Sequence, residues 1–234
     1  MNIAIILSGG VGSRMRADGF PKQYIEVNGK PILMYTLEKY QTCPAIDKIV
    51  IVADPVWYDD IRNWMTTSSI TKFADFAQPG TSRQGSVLNG LQVCAAISTP
   101  DEAVNVAVHD GVRPLVSHSM ITACLDALNE YDGCMPVLAV TDTTYVSQDG
   151  THISGLLDRS TLFSGQTPEA FRLRPYLQIN ANASQEELEN TRGSTEIAYK
   201  HGMKMRLIPG EYSNFKLTTP TDLDRFRAIL EETQ

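Results

Sequence analysis

The run Ile3-Ala4-Ile5-Ile6-Leu7, the loop Ser8-Gly9-Gly10-Val11-Gly12-Ser13-Arg14 and the following Pro21-Lys22-Gln23-Tyr24 decide how the rest of the chain reads. A short apolar β run empties into a glycine-rich loop, and two cations, Arg14 and Lys22, follow within its reach. Glycines let a backbone turn tightly and bring its N–H groups up to an anion. Arg14 and Lys22 then supply charge to a phosphate held there. The loop is neither of the two commonest glycine-rich phosphate cradles. G-x-x-x-x-G-K-[ST] is absent. Gly10-Val11-Gly12 begins a dinucleotide fingerprint, but Met15 stands where the third glycine belongs. A plain tight βα turn, a nicotinamide-dependent oxidoreductase and a non-catalytic nucleotide-binding regulatory protein all share such a start. Cations beside the carboxyl edge of a sheet nevertheless lie where α/β proteins bind ligands.

Outward from this stretch, strand-like runs recur at Ile3–Leu7, Lys48–Ala53, Val104–Val108, Met135–Val140 and Met203–Ile208. Helix-length segments lie between or after them: Pro31–Gln41, Pro55–Trp64, Arg83–Ala96, Ser117–Glu130 and Pro220–Glu232. The alternation predicts an α/β fold, a Rossmann-like three-layer arrangement of a mostly parallel sheet covered on both faces. Pro31 and Pro220 suit early helical positions, and Ser82 and Thr219 are candidate caps. Residues 141–164 differ, being rich in Thr, Ser, Asp and Gly, with Asp149-Gly150 between two short alternating runs. That is a hairpin signal, and a polar hairpin with little to pack on predicts an extended arm reaching a second subunit.

The 234 residues predict one domain over 1–234, with 141–164 protruding from it. A net charge of −7 without any Lys/Arg run argues against nucleic acid, while leaving room for small phosphorylated substrates at a local cluster. Cys43, Cys94, Cys124 and Cys134 form no C-x-x-C pair and read as buried thiols in a reducing compartment. No apolar run approaches the ~20 residues of a membrane span, so a cytoplasmic protein is expected.

Further constellations follow in order. Gly80-Thr81-Ser82-Arg83-Gln84-Gly85-Ser86-Val87 offers backbone groups and the Ser86 hydroxyl to a base edge, or is an ordinary capped helix start. His109-Asp110-Gly111-Val112-Arg113-Pro114 ends a buried strand. Its Asp110 suits a metal-bridged triphosphate or a ribose and its Arg113 an anion, unless the two merely pair at the surface. Asp142-Thr143, Asp158-Arg159 and Gln166-Thr167-Pro168 lie in and after the arm, where the Arg159 guanidinium can clamp a phosphate. Asn214-Phe215-Lys216-Leu217-Thr218-Thr219-Pro220-Thr221-Asp222-Leu223 puts a third cation, Lys216, just ahead of the last helix.

Taken together these runs resemble the sugar-nucleotidyltransferase signature, A/S-G-G-x-G-x-R-[ML] followed by P-K. Within that superfamily they are similar to the 2-C-methyl-D-erythritol 4-phosphate and ribitol-5-phosphate cytidylyltransferase family, whose motifs G-G-x-x-R-x-x-S-V, H-D-A-x-R-P, D-T, D-R-x-x-L-W, Q-T-P and N-x-K-[IV]-T-T-P-x-D-L occur in that order from Ile3 to Leu223. Departures are Pro79 for the first glycine of the base-reading segment, Gly111 for alanine, Tyr145 where a lysine is frequent and Phe163 for tryptophan. Thr191–Glu196 stands where T-D-x-A is expected, which bears on the acceptor's identity.

The resemblance implies transfer of CMP from CTP to a polyol phosphate, D-ribitol 5-phosphate or 2-C-methyl-D-erythritol 4-phosphate, giving a CDP-polyol and pyrophosphate. It implies Mg²⁺, with Asp110 a direct or water-mediated ligand, and a homodimer formed through the arm. Arg14, Lys22 and Lys216 are the catalytic residues so implied. Ser8, Gly9, Gly10, Gly12, Gly80, Arg83, Ser86 and Asp110 bind the nucleotide, and Arg113, Thr143, Arg159 and Thr167 the acceptor. Products of this kind feed isoprenoid synthesis or teichoic acid and capsule precursors.

Overall fold

A computed structural model describes residues 1–10 and 20–232. Its main sheet contains β1 (Asn2–Leu7), β2 (Lys48–Val52), β3 (Phe73–Ala77), β4 (Asn105–Asp110), β5 (Gly133–Ala139), β6 (Phe163–Gly165), β7 (Glu169–Arg172) and β8 (Met205–Pro209). β1 lies parallel between β2 and β4, in register from Ile3 opposite Lys48 and Val106 to Leu7 opposite Val52 and Asp110. β3 extends the parallel block beyond β2. On the other side β7 runs antiparallel to both β4 and β5, while β8 pairs parallel with the far edge of β5 and the short β6 pairs antiparallel with its end.

The alternation of β1 sets the layers, because successive side chains of a strand point to opposite faces. Ala4 and Ile6 pack with α1 (Ile32–Thr42), α2 (Tyr58–Thr67) and α4 (His118–Asp126) through Leu33, Leu37, Ile61 and Met120. Ile3 and Ile5 pack with α3 (Arg83–Ala96), α5 (Leu173–Asn182), α6 (Gln185–Asn190) and α7 (Ser194–Lys200) through Val87, Leu91, Tyr176, Leu188 and Ile197. Burying one such aliphatic side chain contributes about 1.5–3 kcal/mol, so both faces of β1 stabilise the sheet that carries the loop after it. α8 (Pro220–Glu232) closes a third, smaller cluster with Val27, Ile32, Val112 and Leu217. Ser82 caps α3 by accepting from Gly85 N–H at 3.0 Å, and Thr219 caps α8 by accepting from Asp222 N–H at 3.2 Å.

All four cysteines are buried and unpaired. Among the described residues no helix is long and apolar enough to cross a membrane. The hairpin expected around Asp149-Gly150 is present, with Tyr145–Val146 antiparallel to Gly155–Leu156. Tyr145, Ile153, Leu156 and Phe163 are each more than half exposed on this segment.

Candidate active site

The carboxyl end of β1 delivers Ser8, Gly9 and Gly10 to the floor of a cleft of about 480 Å³. One side chain shapes that floor: the buried Gln23 amide donates to the carbonyls of Ser8, at 2.6 Å, and Gly10, at 2.9 Å. With those carbonyls pinned, the Ser8–Gly10 backbone is pre-set before any ligand arrives. Gly9 lies against Pro79, where a Cβ would come within 2.6 Å of the proline's own Cβ, so glycine is required there. Lys22 also lines the cleft, its Nζ donating to the Leu217 carbonyl at 2.8 Å and so joining the loop region to the segment before α8. Gly12 and Arg14 lie outside the described residues.

Across the cleft, the turn before α3 folds on itself. Gly80 N–H donates to Ser86 Oγ at 3.0 Å, and the Ser86 hydroxyl donates to the Ser82 carbonyl at 2.9 Å. The Ser86 proton is therefore engaged inside the turn, and only an acceptor lone pair is left for a base. Any side chain at Gly80 would place its Cβ 2.5 Å from the Gly85 carbonyl carbon, a backbone atom that cannot step aside.

The centre of the site is Asp110, the last residue of β4, with a carboxylate only 9% exposed. Lys216 Nζ sits 2.9 Å from Oδ2, Arg113 Nε 3.5 Å from Oδ2 and Arg83 Nη2 3.3 Å from Oδ1. Burial pushes the acid's pKa upward, but Arg83, Lys216 and Arg113 outweigh it and hold Asp110 well below the ordinary carboxylate range. It is an anion at any working pH. Arg83 is correspondingly compensated: it also reaches Glu169 Oε2 at 3.1 Å and donates to Ser194 Oγ at 2.9 Å. It acts as a brace between α3, β7 and α7 rather than as an open cation.

A second cavity, about 540 Å³, opens on the far side of Asp110 and shares Arg83, Asp110 and Lys216 with the first. Its wall includes Arg113, Thr167, Glu169 and Thr195. Arg113 donates to the Asn214 carbonyl at 2.7 Å, and Asn214 Nδ2 donates to the Thr167 carbonyl at 2.8 Å, which locks β4's end to the strand-free segment before α8. His109 is fully buried, and burial lowers its pKa to about 3.

These positions bring together Ser8, Gly9, Gly10, Lys22, Gly80, Arg83, Ser86, Asp110 and Lys216 around the first cavity and Arg113 and Thr167 around the second. Thr143 and Arg159 line neither. Thr143 is exposed, and Arg159 donates to the Thr141 carbonyl at 2.7 Å within the arm. Sequence reasoning passed over Gln23, Glu169 and Thr195. The apparent loss of T-D-x-A needs correction as well. Thr195-Glu196-Ile197-Ala198 carries the pattern with Glu for Asp, and Thr195 lines the second cavity while its N–H and Oγ1 donate to Glu169 Oε1 at 2.7 and 2.9 Å.

One carboxylate, Asp110, faces the first cavity among its described lining residues, and no group of three or more His, Cys, Asp or Glu that could hold a metal occurs among the described residues. Such a donor set fits a Mg²⁺ that keeps waters and substrate phosphates as its other ligands, since that ion is commonly bound by one or two carboxylates plus phosphate oxygens.

The family model described as IspD, 2-C-methyl-D-erythritol 4-phosphate cytidylyltransferase, matches residues 2–232. A protein of Streptococcus agalactiae serotype Ia named ribitol-5-phosphate cytidylyltransferase is 33% identical over 231 residues, covering 99% of this chain and 96% of its own length. A Rubrobacter xylanophilus protein named 2-C-methyl-D-erythritol 4-phosphate cytidylyltransferase is 37% identical over 229 residues, covering 97% and 94%. The crystal structure of 4-diphosphocytidyl-2C-methyl-D-erythritol synthase from Anaerococcus prevotii superposes with a TM-score of 0.81 at 26% identity, covering 98% of this chain and 96% of that one. In sequence along almost its full length, and in fold, the chain belongs to the 2-C-methyl-D-erythritol 4-phosphate cytidylyltransferase (IspD) family.

Proposed function

We propose that the chain transfers CMP from CTP to a polyol phosphate, releasing pyrophosphate and a CDP-polyol, with D-ribitol 5-phosphate as the first acceptor to test and 2-C-methyl-D-erythritol 4-phosphate as the second. The observation that carries the reading is the shared wall: Asp110, Lys216 and Arg83 border both cavities, so a nucleotide in one and an acceptor in the other meet at a single charged partition. The nicotinamide and regulatory readings lose their support once the chain stands in a transferase family.

The chemistry suits this partition. A phosphate monoester has a second pKa of about 6, so near neutral pH the acceptor arrives as a nucleophilic dianion and no general base is required. The obstacle is repulsion between two anions, together with charge growth on the departing pyrophosphate; positioning and electrostatic stabilisation therefore carry the rate. Lys22 and Lys216, together with Arg14, supply positive charge to the α-phosphate and the leaving group. The Ser8–Gly10 and Gly12 backbone, with Arg83 behind Asp110, holds the nucleotide, and Gly80 and Ser86 read the cytosine. Arg113 and Thr167 receive the acceptor. Enzymes of this family work with a divalent metal. Here Asp110 is the protein group that would hold Mg²⁺, directly or through water, and the ion would neutralise phosphate charge.

Thr143 and Arg159 then belong to the neighbouring subunit's acceptor site in a homodimer. The exposed Tyr145, Ile153, Leu156 and Phe163 support this, because they give the arm an apolar surface for a second copy. One domain over 1–234 with residues 141–164 as its arm, in the cytoplasm, completes the reading. Pyrophosphate release from CTP and Mg²⁺, measured with each polyol phosphate in turn, tests it. If neither acceptor yields pyrophosphate, the acceptor assignment fails.

A further inference from the structure

Among the described residues, four cations line the second cavity: Arg83, Arg113, Lys216 and Arg192. The first three face Asp110, at 3.3, 3.5 and 2.9 Å. The fourth is exposed, and its guanidinium makes no ion pair or hydrogen bond among the described residues. Its backbone is nevertheless held on both sides. The buried Thr191 ends α6 with its N–H and its hydroxyl both donating to the Glu187 carbonyl, at 3.0 and 2.7 Å. Ser194, fully buried, opens α7 and accepts from Arg83 Nη1 at 2.9 Å. Glu196 reaches back from the first turn of α7 and accepts from the Arg192 N–H at 2.8 Å, much as the acid of a capping box does. Its other oxygen takes Lys200 Nζ at 2.7 Å, so neither oxygen pairs with the Arg192 guanidinium. A fixed backbone thus presents five N–H donors and a positive charge with nothing of the fold to receive them.

Position decides what they receive. The acceptor's phosphate has to reach the nucleotide's α-phosphorus, so it lies at the wall of Arg83, Asp110 and Lys216 that both cavities share. Arg192 lines the second cavity alone. Glu169 stands between it and the shared wall: Oε2 takes Arg83 Nη2 at 3.1 Å, while Oε1 lies 3.7 Å from where a Cβ on Gly193 would stand. We infer that Arg192 is a specificity-determining residue, which grips the acceptor at the end opposite its phosphate by donating to the terminal hydroxyl oxygen. The inference rests on the polyol-phosphate reading above and adds a second point of attachment for that substrate. It selects acceptors that carry an oxygen at the far end of the chain. A carboxylate there, as in a sugar-acid phosphate, suits the guanidinium fork better than a hydroxyl does.

Pyrophosphate release from CTP and Mg²⁺ tests this with the polyol phosphate that turns over, its analogue lacking the terminal hydroxyl, and its analogue with a terminal carboxylate. Arg192→Ala is expected to raise the acceptor KM about ten- to a hundredfold, the value of a hydrogen bond from a charged donor. The CTP KM, kcat and thermal unfolding should stay near the parent's, because the guanidinium bonds to no described residue. Arg192→Lys should recover part of the loss, keeping the charge without the fork. In the parent, removing the acceptor's terminal hydroxyl should cost the same factor; in Arg192→Ala it should cost nothing more. The ratio of variant to parent KM should be largest for the carboxylate. An unchanged acceptor KM in Arg192→Ala overturns the inference and leaves the functional reading standing. So do losses that add when the deoxy acceptor meets the variant, or a loss that appears in kcat or the CTP KM instead. Pyrophosphate release with no polyol phosphate overturns the functional reading, and the inference with it.

Discussion

Replacing Asp110 with asparagine should pull stability, anion binding and turnover in different directions. The substitution keeps the shape and removes one negative charge facing Lys216 at 2.9 Å, Arg83 at 3.3 Å and Arg113 at 3.5 Å. Deleting one partner of a buried ionic cluster generally costs about 3–5 kcal/mol, because the remaining charges are left uncompensated. Two features place Asp110→Asn near the lower end, at roughly 3 kcal/mol: Arg83 keeps Glu169, and the Lys216 side chain is 36% exposed, so water can screen it. The folded-state pKa of Asp110 is depressed. Its contribution is therefore fully present above the unfolded value of ~3.9 and is lost as pH falls below it towards the folded pKa. The stability gap between parent and variant should be widest near pH 7 and narrow below about pH 4. Urea unfolding at pH 7 and at a series of acidic values measures that gap. Metal-free pyrophosphate should bind the variant more tightly, since a competing anion is gone, while kcat falls with Mg²⁺ present. A gap that stays constant with pH, or a variant as stable as the parent at pH 7, would refute the electrostatic account of the cluster.

Other consequences are more local. Lys22→Ala should lower kcat by about 10²-fold or more, the scale of deleting one preorganised charge-stabilising donor, and it also removes the part-buried bond to the Leu217 carbonyl. Steady-state turnover set beside thermal unfolding separates the two. Gly80→Ala forces a Cβ to 2.5 Å from the Gly85 carbonyl carbon, and strain of ~1–3 kcal/mol should open the turn and raise the CTP KM by about an order of magnitude, without a matching change for the acceptor. If the arm forms the proposed homodimer, Leu156→Asp should yield monomers in sedimentation experiments where the parent sediments as a dimer, given the exposure of Leu156 on the arm. If the arm serves the neighbouring subunit, mixing inactive Lys22→Ala and Arg159→Ala chains should restore roughly a quarter of the parent rate, because random pairing leaves one intact site in each mixed dimer. No recovery after verified subunit exchange would assign Arg159 to its own chain.

Much of the scaffold was legible because its strands are continuous apolar runs. Lys48–Val52 and Asn105–Asp110 carry the apolar runs Ile49–Val52 and Val106–Val108, buried on both faces, and the sequence expectation placed both strands within two residues of their observed ends. Arg83–Ala96 and Pro220–Glu232 were bounded correctly because each starts at a capping residue. Other elements were not visible. Phe73–Ala77 reads FADFA, and its exposed Asp75 interrupts the apolar run of a strand with only one neighbour. Glu169–Arg172 hides a buried Glu169 whose place is secured by Arg83 and Thr195, partners 86 and 26 residues away. The helices between Leu173 and Lys200 are short and polar on one side, and their burial comes from packing of α5 and α6 on α3 and of α7 on α5 and the sheet rather than from a long periodic stretch.

The site divides along the same line. Gly80 was readable because its turn folds its own backbone against the position where a side chain would stand, and Gly9 because it follows a strand in a glycine-rich loop, although the atoms that exclude a side chain there belong to the distant Pro79. Residues that act through distant partners were not. Gln23 stands beside Lys22 in sequence, yet its role of bonding the Ser8 and Gly10 carbonyls needs the chain to return some fifteen residues later against its own first strand. Arg83 shows how a correct residue can carry an incomplete role. Its spacing marks it as a nucleotide-side cation, but folding supplies Asp110, Glu169 and Ser194 around it. Its charge is thereby balanced within the fold, although Arg83 lines both cavities. A charge read in sequence becomes a functional charge only after its partners are counted, and at Arg83 those partners come from three separate elements, β4, β7 and α7.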